Sequence, residues 1–449
     1  MTPEPSPQPR VVVAGGGVAG IEAVLGLRAL AGPAVPITLL APEREFVHRP
    51  SSVSGPFGFG PPLRVPLEPI AARLVHTSDG HAVPYDVLVV AVGGRPREAL
   101  PGALTFGGPS DVGAMAGLLD RLEREPERHV VFAVPPGVSW PLPLYELAIM
   151  TAVELRSRAA TGTRLTVLTP EREPLWMFGP AASEALRRLL AERGIALLTN
   201  ARAAAAEERA LRMHDGTRLE CDHVVALPTL DGPAIPGLPA DDRGFLPVDA
   251  HGRVEDAPGV YAAGDATSCP LKQGGLATQQ ADAVAEAIAA AAGLLARAPE
   301  PFRPVLRGLL LTAGAPLYLR AEVGATGLPA PGRRPEARRL RAPASQASTR
   351  ALWWPPGKVA GRYLAPLLAT ARPVALTSEP LADRVPAGVA PDRDAALELA
   401  LLLADEDAAR GDYDQAVHAL DAAAALGGGR LPAEVAERRE RWLAAAHAV

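Results

Sequence analysis

The sequence predicts an α/β protein made of two parallel-sheet units, one inserted in the other. Three observations predict it. Apolar runs that read as buried strands begin at Val11, Tyr85, Val130 and Val260. The first run leads into a glycine turn, Gly15-x-Gly17-x-x-Gly20, and then a helix. A complete strand–helix–strand succession between Val130 and Leu198 interrupts the first unit.

Composition bounds the rest. A chain of 449 residues exceeds one ordinary domain. With 48% apolar and 21% charged residues it suits a globular protein, and a net charge of -5 gives no reason to expect nucleic acid as a partner. Cys221 and Cys269 are too few for a disulfide scaffold or a four-cysteine metal site, and no His/Cys cluster has ligand spacing, so no metal is expected. The polar, Pro-rich stretch at residues 1–10 lacks the apolar core of a secretion signal, and no uninterrupted run of about 18 apolar residues is present. A cytoplasmic setting is therefore expected. Arginine dominates the cations; lysine occurs only as Lys272 and Lys358.

In the first unit, Gly15 permits a tight turn, Gly17 lets a pyrophosphate approach the backbone, and Gly20 lets helix and strand close up. Val18 and Ala19 begin the helix, whose free N–H groups and positive dipole end face the phosphates. An acid at the end of the second strand would hold a ribose. Ala41 stands there, so Glu43 is the nearest candidate and is equally well read as a solvated acid. The strand from Tyr85 ends in Ala91-Val92-Gly93-Gly94. Val260–Ala263 reads as a strand, Gly264-Asp265 as a turn, and an Ala-rich helix follows from about Gly275.

These blocks together resemble the FAD-dependent pyridine nucleotide-disulfide oxidoreductase superfamily, in particular its sulfide:quinone oxidoreductase and type II NADH dehydrogenase members. The resemblance covers about residues 10–300. It implies two Rossmann-like three-layer domains, a C-terminal interface region and FAD as the cofactor. It gives Asp265 the ribityl and pyrophosphate contact, and it puts Lys272, Gln273, Gly274 and Gly275 at the flavin's pyrimidine end. Cations and free N–H groups there would stabilise a reduced, anionic flavin. Cys269 is a weaker candidate near the flavin, more readily read as a small apolar loop residue. The connection Leu67–Asp86 is short by about one strand pair, which leaves the adenosine half of the site thinly supplied.

The second unit breaks the nucleotide pattern. Its turn reads Pro135-Pro136-Gly137-Val138-Ser139-Trp140-Pro141, and prolines offer a phosphate no N–H. NAD(P)H held in the usual way is disfavoured, and Glu171 or Arg172 at the next strand end is a weak substitute. The turn and Leu144-Tyr145-Glu146 resemble the sulfide:quinone oxidoreductase branch, where a loop cysteine takes part in catalysis. Trp140 or a neighbour stands at that place, so a redox-active disulfide is not expected. Trp140 and Tyr145 are expected to line the flavin face.

The implied division is 10–127 with 232–300 for FAD, 128–231 for the degenerate nucleotide unit, 301–372 for the interface domain and 391–449 for a helical, tetratricopeptide-like tail. Residues 330–350 read as a basic loop and 373–390 as a linker. Segment 351–372, with Trp353 and Trp354, reads either as a helix packed on the body or as a peripheral membrane contact. The tail reads as a surface for a homodimer or protein partner. The function expected is an FAD-dependent oxidoreductase moving electrons between a small molecule and an acceptor such as a quinone. A non-catalytic FAD-binding or assembly protein acting through the tail, and an NAD(P)H-dependent flavin reductase with unusual nucleotide binding, are the alternatives.

Overall fold

A computed structural model describes residues 8–68, 70, 74–75, 83–295, 297–323, 345–370 and 431–446, with scattered positions between 401 and 421. The chain runs through β1 (Val11–Ala14), α1 (Val18–Ala31), β2 (Ile37–Leu40), β3 (Glu45–Val47), β4 (Arg64–Pro66), β5 (Leu74–Val75), β6 (Val87–Val90), β7 (Arg95–Arg97), β8 (Leu104–Thr105) and α2 (Val112–Arg124). It continues through β9 (His129–Ala133), α3 (Leu142–Ser157), β10 (Arg164–Leu168), α4 (Pro180–Glu192), β11 (Ile195–Leu198), β12 (Ala203–Glu207), β13 (Ala210–Met213), β14 (Arg218–Glu220), β15 (His223–Ala226) and β16 (Thr229–Asp231). Then come β17 (Val260–Ala262), α5 (Gly274–Ala291), β18 (Val305–Leu310), β19 (Leu317–Glu322), β20 (Gln346–Ser348) and α6 (Leu364–Thr370), and Ala433–Ala446 forms a helix in the tail.

Two five-stranded parallel sheets carry the α/β architecture, in the orders β17-β6-β1-β2-β5 and β11-β10-β9-β15-β8. The valines of β1 explain its central place: Val11 and Val13 are buried in one core with α1 and α5, and every residue of the strand pairs on both sides. The second sheet is built the same way around β9, and β8 joins it from residues 104–105, upstream of the 128–231 span. A two-stranded ribbon, β7 with β16, lies where the chain passes between the sheets. β12–β14 form a small meander, and β18–β20 form an antiparallel sheet after Pro301.

α1 and α5 pack together over the first sheet. At their crossing a Cβ on Gly26 would meet the Ala285 Cβ at 3.1 Å, so small residues set the approach. The chain end is tied into this layer. Glu22 of α1 is fully buried, and its carboxylate accepts N–H bonds from Tyr363 at 2.8 Å and Leu364 at 2.7 Å, at the start of α6. Burial pushes the carboxyls of Glu22 and its neighbour Asp282 up, Asp282 to about 7. The tail touches the same region through Arg362–Asp421 at 3.7 Å, while Ala404, Ala416, Leu420 and Val435 form a small core of their own. The 373–390 linker, and most of the short connection after Leu67, lie outside the described residues.

Candidate functional site

The glycine turn has the form its sequence predicts. Gly15 adopts φ +118°, and a Cβ there would sit 2.2 Å from the Ala91 carbonyl oxygen. Gly20 passes so close to Gly15 that a Cβ would meet its oxygen at 1.8 Å. Gly17 differs, since nothing lies within 4 Å of a Cβ built on it. Gly17 also caps α1 with no side-chain bond to the first N–H groups. Two glycines thus close the turn, and the third leaves open space in front of an uncapped helix start. Val18 and Ala19 follow at that start, and Ala91 and Gly93 form its other wall, where Val92 is 48% exposed at the strand end. Gly264 adopts φ +78°, and a Cβ there would meet the Ala19 Cβ at 3.0 Å, which brings Asp265 to the same edge of the first sheet.

The carboxylate of Asp265 receives no hydrogen bond from any described residue. Burial pushes its carboxyl up, opposed by the charges of Lys272 and Arg49. Lys272 does not point straight into the open edge. Its ammonium donates to the Thr267 carbonyl and lies 3.6 Å from the centre of the Phe245 ring. Burial lowers its pKa to about 8. Gln273 caps α5 by accepting from the Leu276 N–H at 2.8 Å, so Gly274 and Gly275 stand in the helix's first turn. Cys269 is partly buried, and burial pushes its thiol up. Glu43 lies exposed two residues past the buried Ala41.

The proline turn has another use. Ser139 accepts the Lys272 backbone N–H at 3.3 Å, so the turn braces the entry to α5. The start of α3 is covered by its own chain: Leu142 is buried, and a Cβ on Gly308 of β18 would meet Leu142 and Phe178 at 2.8 Å. Trp140 packs edge-on to Phe178 with centroids 5.8 Å apart. Tyr145 is fully buried and donates to Glu171 at 2.6 Å; Thr169 donates to the same carboxylate at 3.0 Å. Tyr145 therefore serves the second unit's core rather than a flavin-facing surface, while Trp140 is partly buried at that core's edge. A buried phenol needs an acceptor, and Glu171 supplies it.

One pair escaped the sequence reading. Glu146, fully buried on α3, meets the Lys358 ammonium at 2.6 Å and also accepts the Leu311 N–H at 2.8 Å. Burial raises the Glu146 carboxyl, opposed by Lys358 and the Leu311 N–H. The neighbouring Val359 reaches within 3.1 Å of a Cβ on Gly274, so the pair stands next to the first turn of α5. The signal available was that Lys358 is one of only two lysines. Trp353 and Trp354 are buried beside it, which is the packed alternative for this segment.

Residues 145–291 match the family described as pyridine nucleotide-disulphide oxidoreductase. That match spans less than half of the chain, so it marks a likeness to the family over this stretch. The likeness implies FAD as the cofactor. The residues present fit the group: a turn only glycines can close, open space at Gly17 and an unpartnered carboxylate at Asp265 all meet at one sheet edge. No curated protein matches this chain in sequence. Among solved structures, the sulfide:quinone oxidoreductase of Aquifex aeolicus is similar with a TM-score of 0.65 and 21% identity, covering 76% of this chain and 87% of that one. A ferredoxin reductase from Rhodopseudomonas palustris gives 0.54 and 21% over 72% of this chain and 83% of its own. Putidaredoxin reductase, from its covalent complex with putidaredoxin, gives 0.52 and 22% over 72% and 86%. Among the described residues no helix is long and apolar enough to cross a membrane, and no group of His, Cys, Asp and Glu could hold a metal.

Proposed function

We propose that this oxidoreductase passes electrons from a small-molecule donor to an acceptor of quinone type, with neither a redox-active disulfide nor NAD(P)H in the usual seat. The observation that carries the reading is the start of α3. Its turn offers prolines, and Leu142 and Phe178 cover it beneath β18. A dinucleotide pyrophosphate needs free N–H groups at that point. Glu171, the next strand's acid, is already engaged by Tyr145 and Thr169.

FAD supplies hydride and single-electron chemistry. In this reading Gly15, Gly17, Val18, Ala19, Gly20, Ala91 and Gly93 would cradle its pyrophosphate, Asp265 would accept from its ribityl hydroxyls and Glu43 would be the acid nearest the ribose. Lys272, Gly274 and Gly275 form the pyrimidine end. The Glu146–Lys358 pair holds a proton between a buried carboxylate and a partly buried ammonium, which suits an acceptor that must gain protons along with electrons. The two cysteines are free, Cys221 buried and Cys269 partly buried, and both suit a cytoplasmic setting.

The test is anaerobic mixing of the flavin-loaded protein with NADH or NADPH, followed by photoreduction and addition of menadione or a short-chain ubiquinone. The expected result is no bleaching by either nucleotide and rapid reoxidation by the quinone. Bleaching within seconds by NADH would overturn the donor assignment. Reoxidation no faster than by buffer would overturn the acceptor.

A further inference from the structure

A polar cavity of about 200 Å³ opens at the far end of the second sheet, where β8 and β15 begin. Parallel α/β sheets use their C-terminal strand ends for nucleotides, so this cavity belongs to neither nucleotide edge. Gly102, Arg121, Glu207, Cys221, Asp222 and His223 lie in its wall.

The wall is unevenly satisfied. Glu207 is held by Arg212 and Arg218, both at 2.8 Å. Asp222 accepts the His129 N–H at 2.8 Å and pairs with Arg128 at 3.2 Å. The side chains of Arg121, which is exposed, and His223 make no hydrogen bond or ion pair with any described residue. Donors without partners thus face two carboxylates that retain spare lone pairs. Gly102, at φ +82°, lets the backbone pass Ala206 with no room for a side chain.

We propose that this cavity binds a small hydroxycarboxylic acid. The planar guanidinium of Arg121 matches a carboxylate bidentately. His223 would donate a further bond, and Glu207 and Asp222 would accept from the ligand's hydroxyls. Those two fixed negative charges weigh against a doubly charged phosphate. An apolar cavity of ~150 Å³ takes a benzene ring, so the volume here suits a ligand of roughly six to nine heavy atoms.

The groups facing His223 are Arg121, Arg128, Asp222 and Glu125. Burial first and Arg121 second depress the imidazole, so it is largely neutral without ligand. A bound carboxylate offsets the Arg121 charge, and the imidazole titrates at higher pH.

The experiment titrates D-glycerate, propionate and inorganic phosphate into the flavin-loaded protein, following the His223 ring protons by NMR. Expected are saturable shifts with glycerate, at least fivefold weaker binding of propionate and phosphate, and a raised His223 titration midpoint in the glycerate complex. Arg121→Gln should weaken glycerate at least tenfold, while Arg124→Gln, on the same exposed helix end, should not. Unsaturated shifts, or shifts unchanged in Arg121→Gln, would overturn the proposal. So would phosphate binding as tightly as glycerate. None of these outcomes bears on the flavin reading.

Discussion

Replacing Lys358 with Met removes the partner of a fully buried carboxylate. In the native protein the Glu146 carboxylate meets the ammonium at 2.6 Å and the Leu311 N–H at 2.8 Å. Without Lys358 one buried carboxylate keeps a single donor. Breaking a buried pair in this way costs about 3–5 kcal/mol. At roughly 2–4 °C per kcal/mol for domains of this size, the melting midpoint should fall by about 10 °C. Removing both charges in Glu146→Gln/Lys358→Met should recover most of the loss, because no unpaired charge remains. The loss should also depend on pH. Burial raises the Glu146 carboxyl, and loss of Lys358 raises it further. The folded variant then holds a proton that the unfolded chain gives up. Its stability is retained below the ordinary carboxylate range and falls as pH rises through the raised value. Thermal unfolding of the three proteins at pH 5 and pH 8 is the assay. A single variant no less stable than the double at pH 8 would refute the reasoning, as would a loss larger at pH 5.

Gly15→Ala and Gly17→Ala separate turn closure from cofactor contact. The first should destabilise the apoprotein, because its Cβ meets the Ala91 carbonyl at 2.2 Å. The second should leave the apoprotein melting point within about 1 °C while lowering flavin content, read by visible absorbance. Tyr145→Phe should cost about 1–3 kcal/mol of stability, measured by denaturant unfolding, because Glu171 loses its phenolic donor. Its quinone reduction rate should stay within twofold, and a hundredfold loss would return Tyr145 to the reaction. Cys269→Ala should also leave turnover within twofold, and thiol titration of the denatured oxidised protein should find two free thiols.

Much of the first unit was legible in the sequence because its constraints are local. Gly15, Gly17 and Gly20 each answer a backbone requirement within one turn, and Asp265 follows directly on Gly264. The closed start of α3 was half legible. Pro135 and Pro136 announce a missing phosphate seat, yet nothing nearby says that Gly308 of β18 would let Leu142 and Phe178 fill the space. Tyr145 was misplaced because a loop position says little about which way a side chain turns once an acceptor such as Glu171 is buried nearby. Glu146 and Lys358 lie 212 residues apart. No periodicity or spacing links them, and only the fold brings them together.

The two lysines of this chain stand at one place, on either side of the first turn of α5. Apart from the α-amino group, they are the chain's only primary amines. An amine-directed acylating reagent therefore becomes a local probe, with no background from a lysine-studded surface. Lys272, whose pKa is lowered to about 8, should label faster than an ordinary lysine near neutral pH wherever solvent reaches it. Lys358, held against Glu146, should label only when that contact opens. The ratio of the two adducts, read by mass spectrometry with and without flavin or quinone, would report how tightly this region closes around what it binds.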